Sequence, residues 1–342
     1  MSRELHNLFR EAGGSMAGSQ RAVVREGSVE LRLDDAGDDE VMLQRVLTRG
    51  DGSVVVQLLP VSGVAELIEF RESDPYKEML AQHYRTCLDA IAHRARAHGA
   101  VRPPASVSEC MSELDVSRLM RSVCQRHGGT FALFHWLSTT PGSAPSRAIY
   151  DTHVILAACS PGWLQTYVRR VVTDPVLEYA RNEHFPVRGL GTFAGSGGSW
   201  LGAEAHQHGL LNHVFFPANR GGANGRVFGL LHVGSEGAAP AGEERIWQGQ
   251  RELRGLAEEL LDWPSIRFRR TAALQYRLSD SERIILEWIR RGGDARHAAA
   301  DLSVTQRQVY RLYKSIKKKL GLDDIRACAR MAADVGLLGR FR

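Results

Sequence analysis

Residues 28–33, 41–47 and 53–59 alternate apolar with polar positions and are rich in β-branched side chains, the period-two pattern of strands lying on a sheet. Thr48-Arg49-Gly50-Asp51-Gly52 separates the last two as a hairpin turn, so three short antiparallel strands are expected. Asp74-Pro75 then opens a helix to residue 98, with Pro at its first position and Gly99 as its stop. Together these predict a small α+β unit, followed by the linker Val101-Arg102-Pro103-Pro104. Residues 112–127 carry Leu114, Val116, Leu119, Met120 and Val123 at helical spacing. Strands over 131–137 and 149–157 follow, then short helices over 163–172, 175–183 and 201–208. Two further strands, 212–217 and 227–233, meet through a turn containing Asn224-Gly225. A helix over 241–263, with Ile246, Leu253, Leu256 and Leu260 on one side, closes the region. This order implies an antiparallel sheet covered on both faces, an α-β-α sandwich of the kind that encloses a pocket for a small apolar molecule.

From Leu278 the period is helical throughout. Ser279 with Glu282 has the capping-box spacing at a helix start, and Gly292-Gly293 ends that helix. An Ala-rich helix spans 295–302, Ser303-Val304 turns the chain, and Thr305 caps a third helix reaching residue 320. Val309, Leu312, Ile316 and Leu320 form its apolar stripe. Arg307, Arg311, Lys314 and Lys318 form a second stripe, suited to phosphates, while Gln306, Arg307 and Gln308 at its first turn suit base edges of a major groove. A solvated charged face is the bland reading. Its place on the second helix of a helix-turn-helix favours nucleic acid.

Charge sharpens this. Residues 271–342 hold 15 Lys and Arg against 8 Asp and Glu, whereas the rest of the chain holds 29 against 31. The net charge of +5 therefore belongs to the C-terminal region, where it favours a polyanion. No apolar run is long enough to span a bilayer and the first residues are too polar for a signal peptide, so a cytoplasmic protein is expected. Cys87, Cys110, Cys124, Cys159 and Cys328 are dispersed without a CxxC pair and read as reduced, packed thiols.

Candidate chemistry is sparse. Gly189, Gly191, Gly195, Gly197 and Gly198 make a flexible loop, but no Lys-Ser/Thr follows to complete a phosphate cradle. His206, His208 and His213 lack metal-ligand spacing, and neither a nucleophile elbow nor a triad is evident, so an enzyme is not expected.

In the segments LSDSERIILEWIRRGG and VTQRQVYRLYKSIKKKLGL, with Glu282, Leu286 and Gly292 at characteristic positions, the chain resembles the LuxR-type quorum-sensing transcription regulators. Trp163, Tyr167 and Asp174-Pro175 are similar to that family's Trp-xxx-Tyr…Asp-Pro signature, and AHQHGLLNHVFFP and GRVFGLLHV to its later segments. The resemblance implies a signal such as an acyl-homoserine lactone, with Trp163 donating to the lactone carbonyl, Asp174 accepting from the amide and Tyr167 lining the pocket. Cys159, Trp200 and Phe185 complete the implied ligand set. Core packing for Trp163 and helix capping for Asp174 are the plain alternatives. Departures are visible: Cys159, or Ser160 if the prolines are aligned, stands where the family has a Tyr, Gly189 stands near an expected Trp, with Trp200 as substitute, and His213 replaces a Gly.

The expected architecture is multidomain α+β. Residues 1–104 form a small α+β unit, 105–264 an α-β-α sandwich sensor domain with an antiparallel sheet, 265–276 a linker, and 277–342 an all-α four-helix helix-turn-helix domain with DNA-binding residues Thr305, Gln306, Arg307, Gln308, Arg311, Lys314 and Lys318. Double-stranded DNA, a second copy of the chain joined through the apolar surface of 241–263 and the last helix, and RNA polymerase for an activator are the expected partners. No cofactor, metal or membrane is expected. The alternatives are a regulator without a ligand, one answering to a non-lactone signal, or one controlled by a protein partner through residues 1–104.

Overall fold

The alternating segments of the first 235 residues pair into one sheet. The computed structural model describes residues 20–24, 27–34, 40–93, 102–139, 150, 152–171, 174–196, 199–222, 225–238, 240–334 and 337–338. Residues 1–19, the end of the helix read to residue 98, Gly197-Gly198 and Asn224 lie outside these. Strands β1 (Gln20–Val24), β2 (Gly27–Asp34), β3 (Val41–Arg49) and β4 (Val54–Val61) form an antiparallel meander. Strands β5 (Phe131–Thr139), β6 (Thr152–Ala158), β7 (Val187–Arg188), β8 (Asn212–Gly222) and β9 (Gly225–Ser235) are also antiparallel. The two sets join where β4 pairs parallel with β6, Val56 opposite Val154, giving the order β1-β2-β3-β4-β6-β5-β9-β8-β7.

This joining corrects the reading of residues 1–104 as a unit of their own. A strand edge in β4, buried along its length, satisfies its backbone groups and its Val-rich faces by extending the central sheet. The chain divides instead between Leu261 and Asp262.

Alternate strand positions face opposite ways. One face buries Val29, Leu31, Leu43, Leu59, Leu133 and Phe215 under helices α1 (Val64–Ser73), α2 (Ala81–Ala92), α4 (Pro161–Arg170), α5 (Pro175–Asn182) and α6 (Ser199–Gln207). The other carries Phe134 and Trp136 and is covered by α3 (Glu113–Arg126), α7 (Ala241–Gln248) and α8 (Gln250–Tyr276). Ser112 and Asp115 close a capping box on α3.

Three helical expectations change. Asp74 does not start a helix: its carboxylate is held by Arg45, Tyr84 and the Tyr76 N–H, the chain turns over 75–80, and α2 begins at Ala81. The helix over 241–263 is two, broken at Gly249, and its apolar stripe, Ile246, Leu253, Leu256 and Leu260, is buried within its own unit, so those side chains offer no surface to a second copy. The linker at 265–276 is helical, because α8 continues through Pro264. Proline there cannot bond the Leu260 carbonyl, and the Trp136 indole donates to it instead at 2.7 Å.

The C-terminal unit contains α9 (Asp280–Arg290), α10 (Ala295–Asp301), α11 (Gln306–Leu320) and α12 (Ile325–Asp334) around Ile285, Leu286, Ala298, Val309, Ile316 and Cys328. Capping boxes start the first three, at Ser279–Glu282, Asp294–His297 and Thr305–Gln308. Gly321, at φ 67°, ends α11 in the left-handed region that other residues resist.

Candidate functional site

Ser160 caps α4 by accepting from the Trp163 N–H, and Pro161 fits its first turn. One turn apart on that helix, Trp163 and Tyr167 face the sheet with rings 5.8 Å apart, both almost wholly buried. The Tyr167 hydroxyl donates to Asp174 Oδ2 at 2.5 Å, and Asp174 Oδ1 accepts from the Val176 N–H at 2.9 Å, capping α5. Burial pushes the Asp174 carboxyl up to about 6, against the lowering pull of these two donors. Trp200 lies 6.2 Å from Tyr167. The indole N–H groups of Trp163 and Trp200 are buried without a partner, and such an orphan donor costs about 1–3 kcal/mol until a ligand or water accepts from it. Trp163 also rests edge-on to Phe131, whose ring crosses the backbone of Gly234; a Cβ there would fall 1.7 Å from it.

The sequence did not reveal what stands opposite. His135 on β5 and His153 on β6 occupy inward positions among apolar neighbours, their rings joined Nδ1 to Nε2 at 2.8 Å. His135 lies 5.6 Å from Tyr167, and Tyr150 lies 4.7 Å from His153. A second pair, His213 and His232, is joined at 3.0 Å. Burial holds all four neutral, His135 near 3 and His213 near 4. A polar residue at an inward strand position was the available signal. Cys159 packs beside the same core, and burial, with Glu69 nearby, drives its thiol pKa up, which suppresses a nucleophilic thiolate. Phe185 does not belong to the set: beyond the end of α5 it is 68 % exposed, and only its carbonyl is used, by the Tyr179 hydroxyl. Gly191–Ser196, read as part of a loop, forms a 3-10 turn.

The N-terminal strands and α1 hold α4 in place. Glu69 accepts from the Gly162 N–H at 2.9 Å, Arg169 donates to the Ser73 carbonyl at 2.6 Å, and Arg45 reaches Gln165 at 3.5 Å. Arg45 is itself buried, paired with Asp74 at 2.9 Å and bonded to Gln57 at 3.0 Å. The helix bearing Trp163 and Tyr167 is therefore positioned by residues 45–73.

In the C-terminal unit, Trp288 donates to Asp301 at 2.9 Å and stacks on His297, tying α9 to α10. Val309, Ile316 and Leu320 of α11 are buried, while Arg307, Arg311, Lys314 and Lys318 are exposed, and no ion pair among the described residues engages them. Lys319 points the other way and pairs with Glu282. The Thr305 hydroxyl and the Gln308 carbonyl oxygen are committed to the helix cap, so their part is to fix the first turn, whereas Gln306 and Arg307 stand exposed beside it. Tyr310, 55 % exposed, lies on the cationic face and was not anticipated.

Three solved structures are similar to the chain. SdiA in complex with octanoyl-rac-glycerol is 18% identical with a TM-score of 0.39, covering 69% of this chain and 93% of that one. Escherichia coli SdiA is 18% identical with a TM-score of 0.36, over 68% and 95%. CepR2 from Burkholderia cenocepacia, an N-acylhomoserine lactone dependent LuxR family transcription factor, is 15% identical with a TM-score of 0.36, over 46% and 88%. No family model and no curated protein matches the chain.

Among the described residues no cluster of His, Cys, Asp and Glu is arranged to hold a metal, and no helix is long and apolar enough to cross a membrane. The five cysteines are free.

The raised carboxyl of Asp174 sets a pH dependence. Between its ordinary value of 3.8 and about 6, the folded chain keeps a proton that the unfolded chain releases, so stability falls as pH rises through that window, by about 2–3 kcal/mol in all. Asp174→Asn removes this titration and keeps a capping oxygen. The variant is expected to gain stability relative to the native chain on going from pH 4 to pH 8; melting curves that stay parallel across that range would refute the assignment.

Proposed function

We propose that this chain is a LuxR-type transcription regulator, a homodimer that binds promoter DNA through α11 and senses a small lipophilic molecule between α4 and the sheet. One observation carries the reading: four exposed cations, unpaired among the described residues, line one face of the second helix of a capped helix-turn-helix whose opposite face is buried. A row at that spacing suits phosphate contacts, and the exposed first turn suits base edges. Two such helices in a symmetric dimer read two half-sites. The sensing role rests on the orphan indoles of Trp163 and Trp200 beside Tyr167 and Asp174. Signal acts by stabilising that unit or by shifting a population of its states. In the cytoplasm such a regulator contacts RNA polymerase where it activates.

Selection of binding sites from a random duplex library by the full chain tests this directly. A two-fold related site is the expected product. Recovery of no enriched sequence rejects the reading, and enrichment of a single half-site rejects the dimer alone.

A second reading, in which the signal is not a homoserine lactone, has its own support. Asp174 already receives the Tyr167 hydroxyl on one oxygen and the Val176 N–H on the other, so a ligand amide would share the carboxylate with two donors of the chain itself.

A further inference from the structure

Resting on the sensing role proposed above, we infer that the ligand is a small carboxylic acid with an apolar body, and that Arg49, from the N-terminal strands, binds its carboxylate. Arg49 closes β3, and its Nη1 is buried with no hydrogen-bond partner. The guanidinium lies beside the Tyr150 hydroxyl, where it opposes the burial that pushes that group up to about 12, and close to His153, where it adds to the burial that lowers the imidazole. No ion pair among the described residues engages it. Asp51, in the same turn, is held by the Ser53 N–H at 2.8 Å. Asp174 is taken by Tyr167 and Val176.

The surroundings ask for acceptors. Tyr150, His153, His135, Tyr167 and Trp163 form a run of rings, each 4.7–5.8 Å from the next. Along it the Trp163 indole N–H, His135 Nε2 and His153 Nδ1 are buried and unpartnered, and the buried Tyr150 hydroxyl has Arg49 beside it. An indole only donates, and a hydroxyl both donates and accepts. A neutral His–His pair offers one donor and one acceptor at its two outer nitrogens, and the two exchange by tautomerism without any change of charge. At one end of such a run the half-buried Arg49 turns its buried Nη1 inward, and the nearby Asp51 carboxylate feels its charge without forming an ion pair with it. A planar carboxylate satisfies the guanidinium fork in two parallel hydrogen bonds. The apolar remainder of the molecule then lies against Tyr167 and Trp163. A neutral lactone leaves the cation uncompensated.

Thermal melting and calorimetric titration of the full chain with decanoate, methyl decanoate and N-decanoyl-homoserine lactone decide the matter. The acid is expected to stabilise the chain and to bind at least about tenfold more tightly than its ester. Arg49→Ala removes that preference, and Arg49→Lys keeps part of it through charge without the fork. Arg49 is half-exposed at a strand end, so neither variant disturbs the core. Equal binding of the acid by the native chain and Arg49→Ala overturns the assignment. A response to the lactone without one to the acid also overturns it and leaves the sensing role standing; no response to any of the three removes both.

Discussion

Replacing Arg311 and Lys314 together by Ala is expected to weaken duplex DNA binding by roughly a hundredfold or more near physiological salt, and to reduce the salt slope by about four in a homodimer. The number follows from counterion release. Each phosphate contact contributes about 0.9 to the slope of log affinity against log salt, and both substitutions occur twice in a dimer. Both side chains are exposed and make no ion pair among the described residues, so the loss is not a loss of fold. The buried stripe of α11 is untouched. Arg251 and Arg254, exposed on α8 in the other unit, provide the control: their replacement by Ala changes net charge equally and should leave the slope nearly intact. Mobility shifts across a salt series read the result. An unchanged slope in the α11 variant would mean that this face does not meet phosphate.

The C-terminal unit was readable because its signals are local. A capping box spans three residues, a helical stripe spans four, and a left-handed glycine acts alone; Ser279, Glu282, Thr305 and Gly292 do in the structure what their spacing indicates. The large sheet was not readable as one body. Pairing of β4 with β6 joins positions about a hundred residues apart, and nothing in either strand names its partner. Helix α1 was missed since Val64, Leu67, Ile68 and Phe70 are apolar without a clear polar side, and only Leu67 and Phe70 are buried. Pro75 and Pro264 misled in opposite directions, the first marking a turn held by Asp74, the second sitting inside a helix whose freed carbonyl finds Trp136. At the candidate site the sequence pointed to Trp163, Tyr167 and Asp174 as a spaced motif, and the structure brings the three together. His135, His153 and Arg49 were not legible, because their meeting depends on strand register and on the joining of two sheets.

Glu282→Ala is expected to destabilise the C-terminal unit by about 3 kcal/mol, the scale of removing one partner from a buried charged pair. Glu282 is 1 % exposed and serves three donors: the Ser279 N–H at 2.7 Å, the Ser315 hydroxyl at 2.7 Å and the Lys319 ammonium at 2.6 Å. Ser279 starts α9, whereas Ser315 and Lys319 lie on the far half of α11, so one carboxylate ties α9 to α11. Truncation leaves the Ser279 N–H and the Ser315 hydroxyl without this acceptor, while Lys319 keeps the Arg277 carbonyl; Glu282→Gln keeps an acceptor for Ser315 and costs less. Burial alone would raise this carboxyl, but Lys319, Ser279 and Ser315 together hold it below its ordinary 4.5. A depressed folded value means that the stabilisation is complete above about pH 4.5 and is lost as pH falls through the folded value. Glu287, lowered to about 2 chiefly by Arg290 and then Arg291 against burial, adds loss in the same direction, which places the acid limb between pH 4.5 and about 2. Amide exchange over residues 280–320 of the full chain measures both effects. Glu282→Ala should lose protection by two orders of magnitude at neutral pH, following about 1.4 kcal/mol per tenfold, and should show a shallower acid limb. Native-like protection with an unchanged acid limb would show that the carboxylate does not join the two helices.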